Sequence, residues 1–242
     1  MNQAATEQEP LAAGEEHLIR HPLAERIYHW SMAAAVLTLL ATGFLPVLGI
    51  KFAWVMPHWI AGVVLALLVV FHIVRALFWL DLGAMAIGQA DFAAATGSLR
   101  WILRRTSAAP PKPGKYPLPQ KFYHHVVAVV LLLAIATGLV MMVKIDTPFW
   151  QRDPYFLSDS TWGIVYVLHG VTSLGMITLI MVHVYFALRP EKLWFTRAML
   201  LGWITRRQFL EYHDPARWRL APDERNDAGR DRQSSHTLES DT

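Results

Sequence analysis

Four long stretches of the chain, about Ile27–Leu48, Trp54–Leu80, Phe122–Val143 and Gly163–Leu188, hold one charged residue between them, Arg75, while charge crowds the segments around them. Each is long enough as a helix to cross a hydrocarbon layer about 30 Å thick. The pattern predicts an all-α membrane protein, a four-helix transmembrane bundle flanked by helices that lie in the interface. One such helix is expected over Gln89–Arg105, where Phe92, Leu99, Trp101, Ile102 and Leu103 alternate with arginines. A proline-rich linker, Ala108–Pro119, follows it. The pair Arg189-Pro190 ends the fourth span, and Lys192–Tyr212 reads as a second interfacial helix with Trp194, Phe195, Met199, Leu200, Trp203 and Phe209 on its apolar positions. Residues 20–220 form the domain. The polar tails 1–19 and 221–242 are expected to be disordered, since they offer too little apolar surface to offset the entropy of ordering. The first 26 residues lack the layout of a cleaved signal, so the first span is expected to serve as its own targeting signal.

Composition agrees with the pattern. At 54% hydrophobic and 17% charged residues, the chain lies well below the roughly 25% charge of a soluble domain, which argues against an ordinary soluble enzyme. Charge also orients it. Nineteen of the 22 lysines and arginines fall in the two terminal segments, the middle connection or the adjoining end of the second span; Lys51, Lys144 and Arg152 lie on the other side. Basic residues are retained on the cytoplasmic face, so both termini are expected there. A pI near 9.3 is accounted for by this asymmetry and by anionic membrane lipid, with no nucleic acid required. The absence of cysteine excludes disulfides, cysteine-bound iron–sulfur clusters and c-type haem attachment. Any cofactor must be held by other side chains.

The spans read as two copies of one hairpin. At an offset of 95 residues, Pro22-Leu23, Arg26, Tyr28-His29 and Ala41-Thr42-Gly43 fall on Pro117-Leu118, Lys121, Tyr123-His124 and Ala136-Thr137-Gly138. At an offset of 111, His58 and His72 fall on His169 and His183. Both copies run in the same sense, which places a pseudo-twofold axis along the membrane normal.

Seven of the eleven histidines, His29, His58, His72, His124, His125, His169 and His183, lie in or at the edge of the spans, where an uncompensated polar group is costly. His58/His72 and His169/His183 are each separated by fourteen residues. At about 100° and 1.5 Å per residue, each pair shares one helix face at two depths about 21 Å apart. The second and fourth spans run in the same direction, so His58 can meet His169 near the outer surface while His72 and His183 lie near the inner one. Facing histidines in a helical bundle are what b-type haem requires, and with both axial positions filled the implied role is electron transfer. Zinc would need further ligands at the same depth. At the inner depth the residues leave several pairings open: His183 with His72, which the repeat favours, with His29, or with His124. A haem-free proton-relay transporter or scaffold is the contrasting class, but no span carries Asp or Glu in its central portion.

Several local strings carry a family resemblance. Glu25-Arg26-Ile27-Tyr28-His29-Trp30, His58 with Gly62, Gly114-Lys115-Tyr116 followed by Gln120-Lys121, and the His169-to-His183 spacing are similar to the cytochrome b (gamma) subunit of membrane-bound formate dehydrogenases. So are Arg189-Pro190-Glu191, Met199, Gly202 and His213-Asp214-Pro215-x-x-Trp218. The likeness covers about residues 20–220. It implies two haem b groups, the outer on His58 and His169 and the inner on His29 and His183, with His72 the alternative inner ligand. It further implies a bacterial cytoplasmic-membrane subunit that anchors a periplasmic iron–sulfur subunit and a catalytic oxidoreductase subunit, and passes their electrons inward to quinone. Gln120 and Lys121 are the implied quinone contacts, although Pro117 and Pro119 replace the family motif's Asn and second Gly. Arg26, Arg75 and Arg189 are candidate partners of the haem propionates. The cytochrome b of nickel–iron hydrogenases or of thiosulfate/polysulfide reductases shares the four spans and paired histidines and is the alternative assignment. Any quinone reduction at the inner haem would be the chain's only share in catalysis.

Overall fold

The structure is a computed structural model that describes residues 16–79, 82–103, 107 and 112–218. The expected tail 221–242 and most of the expected tail 1–19 lie outside the described residues. Among the described residues, four helices are long and apolar enough to span a membrane: α1 (Leu23–Phe44), α2 (Val55–Trp79), α5 (Leu118–Met141) with the 3-10 turn Met142–Lys144, and α6 (Asp159–Leu188). The two connecting helices after α2 are α3 (Leu82–Met85) and α4 (Gln89–Ile102).

The ends of the spans have local causes. α1 begins behind Pro22, four residues ahead of its apolar run, and α5 carries Pro119 at its second position, where no helical N–H is lost. Ser158 Oγ accepts the Thr161 N–H and starts α6, while extended Arg189 before Pro190 ends it. Each odd-numbered crossing is followed by a return, so α1 with α2 and α5 with α6 form two antiparallel hairpins, joined where α2 packs on α5. The fold is the expected helical bundle. Its central cluster takes one buried residue from each span, Ala35, Leu65, Leu131 and Met176; most other large apolar side chains point outward, as lipid-facing residues do.

The segment after α6 departs from expectation. In place of one interfacial helix over Lys192–Tyr212 there are a 3-10 turn (Pro190–Lys192), α7 (Leu193–Leu201), strand β2 (Trp203–Thr205) and α8 (Arg206–Tyr212). Gly202 is the break. It sits at φ +97°, in the left-handed region, and a Cβ there would lie 3.0 Å from both the His21 carbonyl and the Arg26 guanidinium. β2 pairs antiparallel with strand β1 (His17–Ile19), Leu18 opposite Ile204, so regular structure begins before residue 20.

This pairing seeds a small cap at the end of the bundle where α1 starts and α6 stops. Leu18, Ala198, Ile204, Phe209 and Trp218 form its core, with Trp194 packed against them. Arg20 and His213 lie inside it, each only 1% exposed. His213 Nδ1 is 2.8 Å from the Gly114 carbonyl and donates to it, which leaves Nε2 to accept from Arg20 at 2.9 Å. The Arg20 guanidinium lies over the Phe195 and Trp218 rings. Burial lowers the Arg20 pKa to about 10; burial and then the adjacent Arg20 charge lower that of His213 to about 4. A Cβ on Gly114 would lie 3.0 Å from the Arg217 carbonyl. The Gly114 and His213–Trp218 motifs thus touch one another and hold the cap shut.

Candidate functional site

The outer layer is built by α2 and α6. The imidazoles of His58 and His169 face each other with ring centroids 6.4 Å apart. Each is backed by a threonine from the preceding helix: Thr42 Oγ1 lies 2.8 Å from His58 Nδ1, and Thr137 Oγ1 lies 3.0 Å from His169 Nδ1. Both hydroxyls also lie 2.7 Å from a carbonyl one turn back, Thr38 O and Leu133 O. A hydroxyl has one proton, and the carbonyl can only accept it. The histidine Nδ1 must therefore donate to the threonine, which leaves each Nε2 with a free lone pair. Beside the threonines, Gly43 and Gly138 lie against the histidine rings: a Cβ at Gly138 would press on His169 Cε1 at 3.2 Å, whereas one at Gly43 would make an ordinary contact with His58 Cε1 at 3.5 Å.

The inner layer holds two pairs. His29 of α1 faces His183 of α6 at 6.1 Å between centroids, and His72 of α2 lies 6.2 Å from His124 of α5. Tyr28 stacks on His72 and Tyr123 on His183. The offsets of 95 and 111 residues carry His29/His183 onto His124/His72, so the two inner pairs are symmetry mates. His58 and His169 are each other's mates and meet across the pseudo-twofold axis. This explains why repeat symmetry misdirects at the inner depth: it makes His72 equivalent to His183, whereas the structure sets His183 against His29 and His72 against His124.

Both layers fit haem by the same measure. An imidazole–metal bond is about 2.0 Å and a ring centroid lies about 1.1 Å behind its nitrogen, so two imidazoles on one iron stand about 6.3 Å apart. Among the described residues no group of three or more His, Cys, Asp or Glu side chains converges on a metal position, so the sites are pairs and do not suit tetrahedral zinc. Leu65 and Met176 each lie seven residues from both layers, about 10 Å along the helix. The central cluster is therefore an apolar plug between two polar storeys.

The flanking candidates are already engaged. Arg26 donates to the Leu200 carbonyl, Arg75 lies 3.9 Å from Glu25, and Arg189 pairs with Glu191. Gln120 is exposed, whereas Lys121 is buried, its ammonium 2.8 Å from both Asp91 Oδ2 and the Ala86 carbonyl. Asp91 also binds the Gly88 N–H and Arg217. Lys121 thus joins α4 to α5. His125 Nδ1 turns back to the Lys121 carbonyl. The Ala-Thr-Gly repeats are legible in the sequence, while their contact with the histidines appears only in the fold. Their signal is the coincidence of two offsets, each placing a threonine and a glycine opposite a span histidine.

Residues 20–202 match the family model described as prokaryotic cytochrome b561. No curated protein matches the chain.

Proposed function

The chain belongs to the prokaryotic cytochrome b561 family and is an integral membrane, haem b electron-transfer protein; on that premise we propose that it is a di-haem subunit carrying electrons between an oxidoreductase on the outer face of a bacterial cytoplasmic membrane and membrane quinone. The observation that carries this reading is the stacking of two imidazole pairs, 6.4 and 6.1 Å apart, above and below an apolar plug. His58 and His169 hold the outer haem, and His29 and His183 the inner one. Bound haem supplies a reversible one-electron couple, and two histidine ligands leave its iron no open position for substrate.

The chain's own side chains set the conditions. Thr42 and Thr137 fix the outer histidines in the tautomer whose Nε2 is free, and Gly138 leaves the His169 ring its room. Leu65 and Met176 keep water from joining the storeys. Gln120, exposed at the start of α5, is the group offered to a quinone carbonyl, with Lys121 fixing its position through Asp91. The bias of basic residues supports termini in the cytoplasm. The resemblance of the Glu25–Trp30 and Gly114–Lys121 strings supports a formate dehydrogenase-like partner with iron–sulfur and catalytic subunits.

A haem-to-protein ratio on the purified chain tests the proposal. Two b-type haems per chain are expected, one lost in His58→Ala and the other in His29→Ala. A ratio of one, or a colourless preparation, refutes it. Affinity capture of the tagged chain tests the partner: a molybdopterin subunit agrees with the assignment, and a nickel–iron subunit replaces it with a hydrogenase.

A further inference from the structure

We propose that a furrow between α1 and α7 binds one anionic phospholipid, its phosphate on Arg26 and an acyl chain along α1. The furrow has a volume of about 420 Å³ and is lined by Arg26, Ile27, Trp30, Ser31 and Ala34 of α1 and by Leu200 of α7. The α1 residues recur at three- and four-residue spacing, so they form one stripe. It faces away from the plug, to which the same helix contributes Ala35 with Met32, Val36 and Leu39. From Arg26 to Ala34 the stripe descends about 12 Å, from the interface into hydrocarbon depth.

Two observations point to an anionic head. Glu25, the acidic residue in the first turn of α1, is turned to Arg75 and His21, and among the described residues no carboxylate pairs with Arg26. The Arg26 Nε is also buried with no hydrogen-bond partner, while one terminal nitrogen is held by the Leu200 carbonyl. The enclosed Nε leaves the guanidinium short of a partner and its charge unneutralised, and a phosphate at its accessible side supplies the missing counter-charge. Because α1 begins beside Arg26, the guanidinium sits at head-group level, and the walls below it are apolar except for Ser31. An apolar chain under a fixed cation is the shape of a phospholipid.

The test uses the full haem-loaded chain in detergent, offered an equal mixture of phosphatidylglycerol and phosphatidylcholine with identical acyl chains and examined by native mass spectrometry. One phosphatidylglycerol per chain is expected to survive, with retention about tenfold lower in Arg26→Gln, the loss expected for one charge-assisted contact. Ala34→Phe, at an exposed position that fills the deep end, is expected to lower retention too and carries the test if Arg26→Gln fails to fold. Equal retention of the two lipids, or wild-type retention in Ala34→Phe, overturns the proposal. So does displacement of phosphatidylglycerol by a short-chain quinone, which would make the furrow a quinone seat.

Discussion

Replacing Thr42 by valine removes one oxygen and keeps the branched shape. In the structure that oxygen is the acceptor 2.8 Å from His58 Nδ1; its loss leaves the ring free to turn and to exchange tautomers, and makes the imidazole a weaker electron donor. The helix loses little, because the hydroxyl returns to a carbonyl one turn back that already belongs to the α1 hydrogen-bond ladder. Loss of such an outer partner costs about 10–100-fold in metal affinity, or about 1.4–2.7 kcal/mol. Thr137→Val is expected to fall in the same range or slightly lower, its contact being 3.0 Å. The assay is transfer of haem from the purified chain to excess apomyoglobin, in which the two haems leave as separate phases. Thr42→Val accelerates the outer phase alone, and Thr42→Ser, which keeps the hydroxyl, restores the original rate. Wild-type release in both valine variants, with the outer haem still lost in His58→Ala, would refute the role assigned to the threonines.

At the inner layer, His29→Ala is expected to halve the haem content while His72→Ala and His124→Ala retain two haems; the reverse result moves the site to the symmetry-related pair. The cap is acid-sensitive. His213 titrates near 4 when folded against 6.5 when unfolded, so between those values the unfolded chain binds the extra proton. Cap stability, followed by near-ultraviolet circular dichroism of Trp194 and Trp218, is therefore full above about pH 6.5 and falls as pH drops towards 4. His213→Phe lowers stability at all pH values and removes that step. Lys121→Met takes away the nearer cation of Asp91, which keeps Arg217 at 3.3 Å and the Gly88 N–H, and costs about 1–3 kcal/mol, the range for losing one charge-assisted hydrogen bond, read as a lower melting temperature.

Much of this protein is decided by one-dimensional information. Four apolar runs, with Arg75 their one charge, need no tertiary argument to become four spans, since hydrocarbon forces each run to satisfy its own backbone hydrogen bonds as a helix. The fourteen-residue spacing puts His58 with His72, and His169 with His183, on single faces, because helical periodicity is local. What periodicity cannot say is which helix each face meets. His183 turns to His29 and His72 to His124 because the two hairpins pack about an axis across which only the outer histidines meet. The same holds for the cap. A run of apolar residues after α6 reads as one helix, and it breaks at Gly202, whose left-handed backbone lies so close to His21 and Arg26 that a Cβ there would be 3.0 Å from the His21 carbonyl and the Arg26 guanidinium, residues more than 170 positions away in the chain. Local composition determined which segments enter the membrane and at what depth each histidine lies; long-range packing alone decided which imidazoles face one another, because steric fit between distant helices leaves no periodic trace in either of them.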